Sequence, residues 1–264
     1  MLRAQGRKKG HAMIHFVGAG SGAADLITVR GAKMLGDADV IIYAGSLVNP
    51  ALLDYAKEGC EIYNSAHMTL EEVVEVERSA EESGKMCVRL HTGDPSLYGA
   101  HREQMDKLDE LGIDYDVVPG VSSFCGAAAA LKAEYTLPNV SQSVIITRME
   151  GRTPVPEGEK LRLMASHGCT MVLFLSTSLL DGAVEELLAG GYSPDTPAAI
   201  VYKATWPDEQ VWRCTVGTLV QTAREAGVKN TALITIGGFL GDVYDRSKLY
   251  DPSFTHMFRK GTDE

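Results

Sequence analysis

The sequence predicts an α/β fold made of two α/β domains. Short apolar runs alternate with longer amphipathic stretches along nearly the whole chain, the pattern of strands joined by crossover helices. A Pro119-Gly120 step interrupts that alternation and marks a joint between two halves. The segment after residue 207 reads as a hairpin partner of the strand before it, so the second half is expected to be mixed and the first mainly parallel.

The elements follow in order. His15-Phe16-Val17 is a buried strand that runs into Gly18-Ala19-Gly20-Ser21-Gly22-Ala23, a tight loop. Residues 25–35 read as a helix and Val40-Ile41-Ile42-Tyr43 as the next strand. Residues 70–83 form a strong helix, acidic on one face, with Gly84 placed as a C-cap. Residues 86–90 are a strand followed by the loop Thr92-Gly93-Asp94-Pro95, residues 102–111 a helix ended by Gly112, and residues 115–118 a strand. An alanine-rich helix over 122–131 has Ser122 or Ser123 as its N-cap. The second half supplies strands over 143–147, 170–175, 198–202, 210–215 and 232–236, and a long polar loop over 148–159. Residues 1–12 read as a disordered extension, 13–119 and 120–242 as the two domains, and 243–264 as a tail.

The chain has 264 residues, 45% of them hydrophobic and 23% charged, the composition of an ordinary globular protein. It contains no apolar run of the roughly 18 residues that a membrane-spanning helix needs. Five dispersed cysteines without a C-x-x-C pair fit reduced thiols and a cytoplasmic location. The seven histidines are scattered too, and no metal site is expected; His91 and His101 are the pair nearest the informative loops. A net charge of −10 argues against a nucleic-acid partner, though a local basic patch for an anionic small molecule remains compatible with it.

The loop beginning at Gly18 satisfies the permissive form G-x-G-x-x-A of a dinucleotide-binding turn. Such a site needs an acid at the end of the next strand to grip the ribose. That strand ends Tyr43-Ala44-Gly45-Ser46, while Asp37 and Asp39 sit at its beginning. A nicotinamide-dependent oxidoreductase is therefore disfavoured, and a plain strand-to-helix turn remains open.

The ordered set Val17-Gly18-Ala19-Gly20, Thr92-Gly93-Asp94-Pro95-Ser96-Leu97-Tyr98-Gly99 and Pro119-Gly120-Val121-Ser122-Ser123 resembles the tetrapyrrole methylase family. The similarity covers the chain from Met13 to about Gly241, and Ser21 stands where many members carry a proline. The runs Tyr43 to Pro50, Thr147 to Pro154 and Leu249 to Arg259 look like one branch, whose members methylate C-11 of a precorrin, with or without cobalt, during cobalamin assembly.

That resemblance implies a pair of α/β domains with S-adenosylmethionine held in a cleft between them, a precorrin (an anionic tetrapyrrole) as substrate, and a homodimer. It implies a cofactor set of Ser21, Thr92, Gly93, Asp94, Leu97, Ser122, Ser123, Leu175, Ala204 and Ala232. A substrate rich in carboxylates needs cationic partners, and Arg30, Arg89, Arg148, Arg152 and Lys203 lie near loop ends, with Tyr43 and Ser46 as trough-floor candidates. Each of these cations taken singly also reads as a solvated surface residue, and Asp94 as a plain Asx-turn residue. Methyl transfer from an activated sulfonium to an electron-rich ring requires alignment more than a nucleophile, so no catalytic residue is assigned. Other branches of the family, acting on other precorrins, diphthine or ribosomal RNA, stay open, as does a non-catalytic tetrapyrrole-binding module.

Overall fold

The computed structural model describes residues 14–262; the 1–12 extension expected from the sequence lies outside the described residues. The chain divides into two compact units. One runs through Gly126 and takes in Thr205–Pro207, and the other comprises Ala127–Ala204 and the residues from Asp208 on.

The first unit contains β1 (Ile14–Gly18), α1 (Val29–Asp37), β2 (Val40–Tyr43), β3 (Glu61–Asn64), α2 (Leu70–Glu82), β4 (Cys87–His91), α3 (Arg102–Leu111), β5 (Tyr115–Val118) and the start of α4 (Ser123–Leu131). Its strands form one parallel sheet in the order β3-β2-β4-β1-β5. The two central strands, β1 and β4, are buried at every position, as expected where helices cover both faces of a parallel sheet. Because all five strands run the same way, the loops leaving β4, β1 and β5 emerge side by side at one edge.

Two local features depart from the sequence reading. The helix expected over 25–35 begins only at Val29, since Thr28 accepts a hydrogen bond from the Gly31 amide (3.1 Å) and caps it; Ala24–Leu26 is a separate 3-10 turn. Strand β3, whose sequence Glu-Ile-Tyr-Asn lacks an apolar run, pairs with β2 alone at the sheet edge. The helix α2 keeps its expected span to within a residue, fixed by a capping box between Thr69 and Glu72.

The second unit contains β6 (Val144–Arg148), α5 (Leu161–Ala165), β7 (Thr170–Phe174), α6 (Leu180–Ala189), β8 (Pro197–Tyr202), β9 (Gln210–Thr215), α7 (Leu219–Glu225) and β10 (Ala232–Ile236). Its sheet is mixed, in the order β6-β7-β10-β8-β9, with β6 parallel to β7 and the remaining pairs antiparallel. The expected β8–β9 hairpin pairing is present. Met171, Leu173, Leu187, Ile200, Val216, Leu219 and Ile234 are fully buried in its core, each removing apolar area worth about 1.5–3 kcal/mol from water.

Candidate functional site

The three glycine loops of the first unit interlock. Ala19 donates to the His91 carbonyl (2.7 Å), and Gly20 and Gly93 exchange backbone hydrogen bonds of 3.2 and 3.0 Å. A Cβ on Gly18 would lie 2.5 Å from the Gly120 Cα, and one on Gly120 would lie 2.8 Å from the Gly18 Cα and closer still to the Gly93 carbonyl oxygen. Glycine is required at these positions because the backbones of the β1, β4 and β5 loops approach too closely for any side chain.

Asp94 locks the arrangement. Its carboxylate accepts from the Gly120 amide (2.8 Å), the Ser96 amide (2.9 Å) and the Ser96 hydroxyl. Burial pushes its pKa up, but the Ser96 hydroxyl and the two amides outweigh that and hold it below the ordinary carboxylate value. Asp94 is thus an Asx-turn residue, as one reading of the sequence has it, and it also ties the second loop to the third.

Of the other sequence-derived positions, Ser21, Thr92, Gly93, Leu97, Ser122 and Ser123 belong to this same set of loops. Ser21 is buried and its hydroxyl lies 3.0 Å from Thr205 Oγ1, which also accepts from the Ala23 amide at 3.0 Å. Asn49 donates to the Gly22 carbonyl (2.9 Å). Thr205 and Asn49 thus brace the first loop, and local sequence pattern marks neither. Gly93 has φ +61°, and a Cβ there would meet the Ser122 Cα and Ser123 nitrogen at 3.5 Å, so the second loop faces the start of α4. Thr92 Oγ1 is buried without a hydrogen-bond partner.

The second unit gathers Leu175, Ala204 and Ala232. Leu175 follows β7, Ala204 follows β8, and Ala232 opens β10, which lies antiparallel between them, so all three share one sheet edge. Three residues at this edge that are not glycine, Leu175 (φ 53°), Lys203 (φ 46°) and Thr231 (φ 54°), adopt the left-handed conformation. Such backbone costs about 1–2 kcal/mol per residue and concentrates where geometry serves function. Leu175 is also 63% exposed, unusual for a leucine held this way.

The cationic candidates separate. Arg30 lies exposed in the first turn of α1, and Arg152 is exposed in the 149–153 loop. Arg148 donates to the Thr153 (3.1 Å) and Pro154 (2.7 Å) carbonyls and shapes its own loop. Lys203 pairs with Asp208 at 2.6 Å, which raises its pKa, and its ammonium sits 5.4 Å from the Tyr202 ring centroid. Arg89 is a core residue, not a loop-end cation: it is 6% exposed and donates to Gln104 Oε1 (2.9 Å) and the Ile42 carbonyl (3.1 Å). Its place inside the strand run Cys87–His91, rather than after it, is the signal the sequence offers. Tyr43 is half-buried at the end of β2 against the apolar cluster of Val17, Ile41 and Leu90. Ser46 lies in the Gly45–Leu47 turn, and its side chain falls outside the described residues.

Beneath the second loop, burial and the neighbouring Arg89 and His101 charges lower the His91 pKa to about 3, so its imidazole is neutral. Glu77, fully buried on α2, is pushed up to about 7 by burial, with Arg89 acting in the opposite direction. Among the described residues no cluster of histidine, cysteine, aspartate or glutamate is arranged to hold a metal ion, and no helix is long and apolar enough to cross a membrane.

The chain with this sheet edge matches a known class of enzymes. The chain belongs to the tetrapyrrole (corrin/porphyrin) methylases, which match it over residues 13–220. It is 55% identical over 245 residues to a cobalt-precorrin-4 C(11)-methyltransferase of Methanocaldococcus jannaschii, spanning 92% of this chain and 95% of the relative. A protein of the same name from Priestia megaterium is 50% identical, spanning 94% and 98%. A precorrin-4 C(11)-methyltransferase of Pseudomonas aeruginosa is 43% identical over 94% of this chain and 99% of its own length. Among solved structures, a cobalt precorrin-4 methyltransferase superposes with a TM-score of 0.86 at 48% identity, covering 90% of this chain and all of that one. The α/β fold with two sheets is that of this family.

Proposed function

We propose that this protein transfers a methyl group from S-adenosylmethionine to C-11 of cobalt-precorrin-4, the cobalt-bearing substrate being favoured over precorrin-4. The preference follows the gradient of similarity: the two cobalt-precorrin-4 relatives stand at 55% and 50% identity, against 43% for the precorrin-4 enzyme of Pseudomonas aeruginosa.

The observation that carries the donor assignment is the geometry of the first loop. A dinucleotide site aims an open helix N-terminus at a pyrophosphate directly after the glycine turn. Here a 3-10 turn over Ala24–Leu26 intervenes, and α1 starts only at Val29 with Thr28 already capping it. S-adenosylmethionine has no phosphate and needs close backbone approach with a few hydrogen-bonding groups. Gly93, in left-handed backbone beside the start of α4, and the orphaned Thr92 hydroxyl fit that requirement. The Asp94 carboxylate is engaged by Gly120 and Ser96, so its role toward the donor is to fix the loop that presents Thr92, Gly93 and Leu97. Ser21, Ser122 and Ser123 complete this face.

When bound, S-adenosylmethionine would supply an electrophilic methyl on its sulfonium sulfur. The chain's part is to align the methyl with the ring carbon and exclude water, a proximity effect that asks for rigid loops and no side-chain nucleophile. Arg30 and Arg152, exposed and flanking loops, are the guanidinium groups we assign to the substrate's carboxylates. The reading extends to a cytoplasmic homodimer. Its support is the five unpaired cysteines and the exposed Leu249, Tyr250, Met257 and Phe258 of the C-terminal segment.

Calorimetric titration with S-adenosylhomocysteine, with NAD in parallel, tests the donor. Binding of the homocysteine analogue alone is expected. Binding of NAD instead would overturn the assignment.

A further inference from the structure

The segment that follows Asp94 holds two residues, Tyr98 (φ 55°) and Ala100 (φ 46°), in left-handed backbone although neither is glycine. Within the loop itself, Asp94 anchors Ser96, and the Leu97 amide donates to the Asp94 carbonyl at 3.2 Å. Strained backbone persists only where its surroundings over-determine it, and one constraint on residues 98–100 comes from outside the loop.

It enters from below, through a chain of buried polar groups. Gln104 on α3 donates from Nε2 to the Ala100 carbonyl (3.0 Å), and its Oε1 accepts from Arg89 Nε (2.9 Å). Arg89 on β4 in turn donates to the Ile42 carbonyl of β2 (3.1 Å). Gln104 and Arg89 are 5% and 6% exposed. His91, two residues along β4, adds a hydrogen bond to the Gly99 backbone, and its ring packs 5.9 Å from Phe16 and 5.7 Å from His101. The strained residues are thus wired through α3 to strands β4 and β2.

We infer that Gln104 is a positioning residue for the methyl donor. It fixes the backbone of residues 97–100, and with it the Leu97 side chain, by joining the Ala100 carbonyl to the Arg89 guanidinium. The inference rests on the donor reading above. A buried polar chain of this kind is seldom the most stable filling of a core, since apolar side chains of equal volume do as well or better. Its specific product is the fixed position of the Ala100 carbonyl. The amide is suited to the task because it accepts from arginine on one side and donates to a carbonyl on the other, which neither a carboxylate nor an apolar side chain does.

Two substitutions separate positioning from mere support. Gln104→Glu keeps size and the acceptor for Arg89 but abolishes the donor to Ala100, whereas Gln104→Leu removes both. The readouts are thermal melting, the dissociation constant for S-adenosylhomocysteine, and the separate KM for the donor and kcat. Gln104→Glu is expected to melt close to the wild type, because a charge-assisted bond from Arg89 offsets the unmade bond to the Ala100 carbonyl, to bind the analogue ~10-fold more weakly, and to raise the donor KM while kcat at saturating donor is retained. Gln104→Leu is expected to lose both stability and affinity. Unchanged analogue affinity in Gln104→Glu would overturn the inference and leave the methyltransferase reading standing. So would a fall in melting temperature in Gln104→Glu that accounts for its lost binding. A wild-type protein that fails to bind the analogue would overturn the donor reading, and the inference with it.

Discussion

The two sheet edges that gather the sequence-derived positions are built by opposite means. The first unit's edge is made of glycines that interlock backbone to backbone, Gly18 against Gly120 and Gly20 against Gly93, with Asp94 as a clasp. The second unit's edge holds comparable left-handed geometry with Leu175, Lys203 and Thr231, residues that pay for it in strain. The difference teaches what each edge must present. Where three backbones meet no side chain fits, whereas at Leu175, Lys203 and Thr231, as at Tyr98 and Ala100 of the first unit, a side chain is kept at the cost of left-handed strain.

The comparison breaks most sharply at Gly120. Gly120→Ala places a methyl against the Gly93 carbonyl and the Gly18 Cα, so we expect a loss of about 3 kcal/mol or more in stability and of S-adenosylhomocysteine binding, read by denaturant melts and calorimetry. Thr205→Val is next: it removes the partner of Ser21 and the acceptor for the Ala23 amide. Urea unfolding should show about 1–3 kcal/mol lost, because the Ala23 donor is left unmade.

Asp94→Asn probes the clasp through pH. The folded-state pKa of Asp94 lies below its unfolded value, so its contribution is fully present above about pH 4 and is lost as pH falls through the lower folded value. Asp94→Asn should therefore be less stable than the wild type at neutral pH, with the gap closing as the medium is acidified below pH ~4. A gap that stays constant with pH would mean the clasp depends on shape alone.

The smallest effect has the opposite sign. Leu175→Gly relieves left-handed strain at an exposed position, and should raise the melting temperature by about 2–4 °C while methyl transfer slows. A variant both more stable and fully active would show that the Leu175 side chain is not what the strain preserves.

Much of this was legible in the chain itself. The three loops are visible as an ordered set of motifs. Apolar strands such as Val40–Tyr43 and the nearly apolar Ala232–Ile236, and glycine-stopped helices such as α3, announce themselves because their constraints are local. Strand β3 does not, since an edge strand with one partner needs no apolar run. Helix α1 starts later than the sequence suggests, because Thr28 rather than Asp25 makes the capping bond. Thr205 stayed hidden because its bond to Ser21 joins residues far apart in sequence. Arg89 reads as a loop-end cation because its charge is visible in sequence, whereas its burial comes from tertiary neighbours such as Gln104 of α3.

The most direct measurement is methyl transfer by the purified protein, followed by mass spectrometry, with S-adenosylmethionine and either cobalt-precorrin-4 or precorrin-4. The account predicts the gain of one methyl group at C-11, faster on the cobalt-bearing ring. Failure to methylate either ring, by protein that is folded and binds S-adenosylhomocysteine, would contradict it.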